Sequence, residues 1–517
     1  MPIVKFTNAG VAGLNLDVEP NDLAISPAVE WSGGGNVRFN DGYTEKFLGH
    51  SAVNGTPGVT PYGIFFTNNA ARYEVYTGLT KIYAVTGSTH TDITRALGNY
   101  TGTSSDKWNG STLAGTLILN NGVDDPQFWA GVLATPCAKL TNWPANTKAK
   151  VIRTFDNFII ALNITESGTN YPSMVRWSTP ADPGTLPASW DYTLATNDSG
   201  RVEGVLSSTS DKIVDGLALG NTFMIYKENS TYSMQYVGGT DIFRFAAVSK
   251  TSGALGIDCA ASFPGGHAVL ADGDIVINQG GSTQSIIDRR MRRWLFNNID
   301  SDNRQRSFAV TNLRRNEVWF CFPQLGQTWP DKALIWNYKD NTWGVRDIPN
   351  LTHANAGVIA ASSSDTWDSR TDTWEEADGV WAVDEYSQAT PRVMMASSDG
   401  GLFLADISRS FNGSPMTSYI ERTGLDFGAP EARKLCKGVR PRFDAAEGTV
   451  IRVYVGSQSD LDGAITWSPA VNFTVGTSLK ADFFVSGRYL AIKFESVAQG
   501  AWRLKTFDMD IEMVGYY

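Results

Sequence analysis

Four histidines, His50, His90, His267 and His353, are spread through the chain, and no two lie at the spacing with which a helix or loop presents a pair of imidazoles to a metal. A GxSxG elbow, which would lift a serine nucleophile onto a strand–helix turn, is absent from the sequence. No glycine-rich loop leads into a helical pattern where phosphate would be cradled, because the glycines fall in turns between strand-like runs. Carboxylates remain. The densest group is "SSSDTWDSRTDTWEEADGVW" (362–381), with Asp365, Asp368, Asp372, Glu375, Glu376 and Asp378. Two carboxylates suffice for glycoside hydrolysis. Six of them with Arg370 as the sole basic neighbour instead favour a solvated loop, extended by mutual repulsion. "DSDN" (300–303) lacks the glycine and the distant bidentate Glu of an EF-hand loop. These patterns predict no catalytic residue, no cofactor and no metal.

Basic residues gather twice. "DRRMRRWLF" (288–296) places Arg289, Arg290, Arg292 and Arg293 around most of a predicted short helix, with Met291, Trp294 and Leu295 available for packing. "EARKLCKGVRPRF" (431–443) brings Arg433, Lys434 and Lys437 to the front of the last part of the chain. Solvated surface is the plain reading of both. Arginine is enriched in protein interfaces, so subunit or partner contact is the functional one.

The elements that must position these residues read as strands. Charged residues are 19% of 517, glycine numbers 50 and tryptophan 16. Long stretches with apolar residues at helical spacing are almost lacking. The start, "MPIVKFTNAG", has no basic region followed by an apolar stretch, and no apolar run reaches about 18 residues. A soluble protein that stays where it is made, without membrane insertion, is expected. Cys137, Cys259, Cys321 and Cys436 are far apart in strand-like settings and read as reduced core residues. Net charge is −10; residues 416–517 hold 12 basic and 12 acidic groups, so the whole acidic excess lies in 1–415. Such a surface does not hold DNA by neutralising its phosphates.

Repetition organises the chain. "YGIFFTNNAARYEVYTGLTKIYAVTG" (from Tyr62) gives three alternating runs separated by turns. The scheme recurs in "TLILNNGVDDPQFWAG" (116–131), in "DNFIIALNI" with "PSMVRWSTPADPGTLPASWD", in 215–237, in 266–286, in "RRNEVWFCFP" with "ALIWNYKDNTWGVRD", and in "RVMMASSDGGLFLAD" (392–406). From Ile159 to Met224, Val276 and Val318 the central runs are spaced by 42 to 65 residues, the range of a four-stranded propeller blade plus a variable loop. A sheet apolar on both faces is stable only when neighbours cover it, which radial stacking achieves. The fold expected is therefore all-β: an irregular β-propeller of six to seven blades over 61–415, an extended Pro-, Asn- and Gly-rich N-terminal arm over 1–60, and a C-terminal β-sandwich over 416–517 with alternation in "RYLAIKFE".

Several segments resemble one family. "WSGGGNVRFNDGYTEKFLGH" (31–50) is similar to the N-terminal region of the tail nozzle and tail-hub proteins of short-tailed bacteriophages. "ILNNGVDDPQFW" (118–129), "RWSTPADPGTLPASWD" (176–191) and "ALIWNYKDNTWGVRDIP" (333–349) resemble their propeller segments, and "YIERTGLDFG" (419–428) the lead-in to their last domain. The resemblance implies a structural virion protein of the tail, made and assembled in the host cytoplasm. It also implies a ring, commonly a homohexamer, below an adaptor protein, with tail fibres as further expected partners, enclosing the channel through which double-stranded DNA leaves. In that setting the 362–381 loop, with Trp367 and Trp374 beside its acids, is the expected gate, and the two basic clusters are the expected subunit or adaptor contacts. A receptor- or glycan-binding propeller is the alternative, and a glycan-cleaving tail enzyme the third.

Overall fold

A computed structural model describes residues 3–67, 72–182, 184–194, 196–239, 241–359, 391–497 and 499–516. Seven antiparallel four-stranded sheets occupy 63–92, 109–139, 147–202, 213–249, 260–285, 308–347 and 351–408, the last completed by the strand Gly49–Ala52. Their first strands touch one another in a closed circle, from Gly63–Phe66 round to Leu351–Gly357 and back. The protein is thus a seven-bladed propeller, here numbered blades 1 to 7 in chain order, joined to a sandwich of two six-stranded sheets. Each of the seven repeated runs falls in its own blade. "ALIWNYKDNTWGVRD" forms the two outer strands of blade 6, Lys332–Asn337 and Thr342–Asp347, where Trp336 and Trp343 pair directly and their rings stack at 6.2 Å.

Blade 7 is closed by residues distant in sequence. Ala52, Ser51 and His50 pair with Phe403, Leu404 and Ala405. One outer strand taken from the beginning of the chain thereby fastens the circle.

The N-terminal arm contributes strands to both units and is not a separate strap. Ile3–Phe6 pairs with the long strand Trp502–Tyr516, and Gly33–Gly35 with Ser418–Leu425. Val37–Asn40 and Tyr43–Lys46 form a hairpin joined to Trp502–Tyr516. Its turn carries Asp41 at φ 48° and Gly42 at φ 81°, the left-handed pair that a two-residue hairpin turn requires. The sandwich is thus built from residues 3–46 together with 418–516, and the strands part company at residues 47 and 48, just before the propeller strand begins at Gly49. Phe6 stacks on Phe507 at 4.3 Å, and the buried Trp31 donates its indole N–H to Ala9 O at 2.6 Å. The four cysteines are buried and unbridged.

Candidate functional sites at the domain joint and the propeller axis

The expected gate residues Asp365, Trp367, Asp368, Asp372, Trp374, Glu375 and Glu376 lie outside the described residues. The first arginine cluster is only partly helical. The helix is Arg292–Asn298; Arg289 precedes it at φ 57°, a left-handed conformation that breaks a helical path, and Arg290 follows in the turn. Arg290 O accepts from Leu16 N and Asp17 N, while its guanidinium donates to Ala12 O at 3.0 Å. Arg293 donates to Asp17 O at 2.6 Å and Arg292 to Gly273 O at 2.8 Å. Much of this cluster's hydrogen-bonding capacity therefore secures the arm against the propeller, leaving Arg289, Arg292 and Arg293 exposed at the rim.

In the second cluster Arg433 is exposed and Lys437 pairs with Glu512. Lys434 does not serve as a surface contact. It is buried, and its ammonium donates to Ala429 O and Arg488 O at 2.5 and 2.6 Å. Burial lowers its pKa.

Two buried charge assemblies occupy the places where segments converge. The first is the joint between sandwich and propeller. Arg38, on the hairpin of the arm, meets Glu317 Oε1 at 3.0 Å and Asp406 Oδ2 at 2.8 Å. Arg346 reaches Asp406 Oδ1 at 2.8 Å and donates to Leu48 O at 3.0 Å, just ahead of the closing strand. Asn312 donates to Asp406 and the Trp319 indole to Glu317. Both guanidiniums lie over the Phe47 ring, at 4.4 and 5.1 Å. Arg38 is 3% exposed and Arg346 0%, so water contributes almost nothing here. Burial opposes ionisation of Asp406, but Arg38, Arg346 and Arg315 outweigh it and hold the carboxyl below its ordinary range. Glu317, which burial affects more than Arg38 offsets, is raised.

The second lies among the inner strands of the propeller. Arg153 of blade 3 forms a bidentate pair with Asp215 of blade 4, at 3.0 and 2.9 Å. It reaches Asp258, at the start of blade 5, at 2.7 Å and donates to Gly110 O of blade 2 at 3.1 Å. Lys107, leading into blade 2, donates to Ile257 O and to Ser307 O beside blade 6, at 3.0 and 2.7 Å. On blade 7, His353 Nδ1 accepts from Ile64 N of blade 1 at 3.1 Å. The ring proton therefore sits on Nε2, facing Asp258 Oδ2 at 3.6 Å. All seven blades thus converge on one cluster. Burial works against the Asp258 carboxylate, and Arg153, His353 and Lys107 overcome it, holding its pKa low; burial raises that of Asp215 against the pull of Arg153.

Chemically, both assemblies are ties. Each pairs cations with carboxylates, and Arg346, Arg153 and Lys107 also donate to backbone carbonyls, which helps to offset desolvation. No group of three or more potential metal-ligating side chains occurs among the described residues. Sequence reasoning missed Arg153, Asp215, Asp258 and Lys107 because each sits alone in its own repeat. The joint left one trace, the Asn-Val-Arg-Phe core that contains Arg38.

No protein-family model matches the chain, and no curated protein matches it. Among solved structures it is similar to the WD40 β-propeller domain of Doa1, at 10% identity over 71% of this chain and 100% of that one, with a TM-score of 0.39. It is also similar to PorZ, a surface component of the type-IX secretion system of Porphyromonas gingivalis, at 9% identity and a TM-score of 0.35. That match covers 84% of this chain but 48% of PorZ, so the chain spans about half of that protein. Apo AztD of Citrobacter koseri matches at 10% identity over 57% of this chain and 89% of its own, with a TM-score of 0.27.

Proposed function

We propose that this chain is a wall subunit of the tail nozzle of a short-tailed bacteriophage, a structural virion protein that assembles into a ring, retains the genome and then conducts it. One observation carries the reading. One of the segments that carry the family resemblance, 31–50, supplies strands to both sandwich sheets, the central arginine of the joint and the start of the strand that closes the propeller. A subunit locked into one body by its own N-terminal segment suits a wall that bears load without deforming. The filled propeller axis fits the same role, since the bore would then lie between copies and not through each one. Heterologous contacts between neighbours close such a ring, and the exposed Arg289, Arg292, Arg293 and Arg433 are available for contacts with neighbours or an adaptor. The acidic excess of 1–415 would keep a passing duplex from adhering.

Electron microscopy of the chain mixed with its adaptor tests the proposal. The expected images show rings, most simply six-fold, with a central opening wide enough for a DNA duplex. A chain that remains monomeric with the adaptor at micromolar concentration overturns it.

A further inference from the structure

A cleft of about 480 Å³ opens where the sandwich meets blade 6 and the short helix Arg292–Asn298. This is within the range of small-molecule sites, roughly 300–1,000 Å³, and such sites favour domain interfaces. Its walls carry Trp294 and Asn298 from the helix, Gln324, Lys332 and Asp347 from blade 6, and Tyr419 from the sandwich. The glycine strand Gly33–Gly35 lines another part of the cleft. Gly35 lies so close to the Tyr419 ring that a Cβ there would come within 2.7 Å of it.

The residues that line this space carry two classes of polar group. Some are fixed: Asp347 is paired with Lys332 and accepts from Asn36 Nδ2 at 2.7 Å, and Asn36 Oδ1 accepts from Asp347 N at 2.9 Å. Others are uncommitted. The Trp294 indole N–H, the Gln324 amide and the Tyr419 hydroxyl have no protein partner among the described residues. Asn298 uses only its Nδ2, on Trp294 O at 2.7 Å, leaving its carbonyl oxygen free.

The charges select the ligand class. Lys332 and Asp347 neutralise each other, so neither an anion nor a cation finds an unbalanced countercharge. An apolar ligand would cut the free donors and acceptors off from water without replacing those hydrogen bonds. A neutral polyhydroxylated ring can donate and accept at each of these groups, and its C–H face suits the half-buried Trp294 side chain. We infer that this cleft binds a neutral saccharide unit, with Trp294 as the stacking surface and Gln324, Asn298, Asp347 and Tyr419 as hydrogen-bonding partners. The inference does not depend on ring formation.

Saturation-transfer NMR on the full chain tests it, with glucose, galactose, mannose, N-acetylglucosamine, maltose, lactose and dextran as probes. At least one is expected to receive saturation. Glucose without dextran marks a free sugar as the ligand, and dextran with glucose marks a polymer. The signal is expected to fall at least fivefold in Trp294→Ala and at least twofold in Gln324→Ala, which removes an uncommitted amide and serves as the folding-neutral variant. No signal from any of the seven probes, or a signal unchanged in Gln324→Ala and in Tyr419→Phe, overturns the inference. Because the assay needs no adaptor, sugar binding without rings and rings without sugar binding remain distinguishable results.

Discussion

The two buried charge assemblies are alike in chemistry and opposite in origin. At the propeller axis, partners come from successive repeats, each blade offering one or two groups to a common centre. At the joint, Arg38, Glu317, Arg346 and Asp406 come from segments separated by up to 368 residues, and the arm's contribution has no counterpart in the repeats. The axial tie therefore secures a symmetry the propeller already has. The joint imposes a relationship between two units that their separate folds do not dictate. Breaking one should loosen a ring, and breaking the other should free two bodies from each other.

Arg38→Met should have the largest effect, costing about 4 kcal/mol, since it strands Glu317 and Asp406 as buried charges without their shared partner. Chemical denaturation should show propeller and sandwich unfolding in separate steps; a single transition at the wild-type midpoint would contradict the role given to the joint. Arg153→Met should cost about 3 kcal/mol, less because Arg153 is somewhat more accessible to water than Arg38. Here limited proteolysis should cut inside the propeller while the sandwich stays intact, and cleavage in the sandwich first would be the wrong outcome.

Gly49→Ala probes the closing strand next to the joint. Its Cβ would lie 1.9 Å from Ser410 O, and the backbone shift should cost about 2 kcal/mol. Hydrogen exchange should accelerate in the strand Leu402–Ser408 while blades 3 and 4 keep wild-type protection.

Acid should separate the two assemblies further. Burial, reinforced by Arg346, lowers His50 to about 4 from an ordinary value near 6.5. Between those values the unfolded chain takes up a proton that the folded chain does not, so His50 contributes stability fully above pH 6.5 and loses it as pH falls toward 4. Asp258 at the axis stays ionised through the same window. The melting temperature should therefore drop between pH 7 and pH 5, and by less in His50→Gln; equal drops would remove His50 from the account. The smallest effect belongs to Lys437→Ala, which opens a half-exposed pair with Glu512 and should cost less than about 1 kcal/mol. A larger loss in urea titration would show that this strand bears more than its surface geometry suggests.

The blades were legible in the sequence because alternation and turn residues are local signals. "ALIWNYKDNTWGVRD" shows its two strands and its turn without reference to any other part of the chain. What stayed hidden depends on distant partners. Nothing local to "GHSA" says that it pairs with residues 403–408, and Lys434 looks like surface until the strands beside it bury its ammonium. Arg289 reads as helical by composition, yet its left-handed backbone turns the chain before the helix starts. The sugar-sized cleft was invisible for the same reason: its walls come from separated stretches of the arm, the short helix, blade 6 and the sandwich, and Trp294 reads locally as a packing residue.

The closing strand has a consequence for biosynthesis. Residues 3–52 leave the ribosome well before their hydrogen-bonding partners, which lie at 402–408, 418–425 and 502–516. Until residues 402–516 have been made, the nascent chain exposes strands whose mates do not yet exist, while blades 1 to 6 can form and wait. Such long-range pairing slows maturation and invites entanglement with other nascent copies on one messenger. A shortened chain ending before residue 500 should leave Ile3–Phe6 and the hairpin strand Tyr43–Lys46 without the strand on which they rest, while Gly33–Gly35 and Gly49–Ala52 keep theirs.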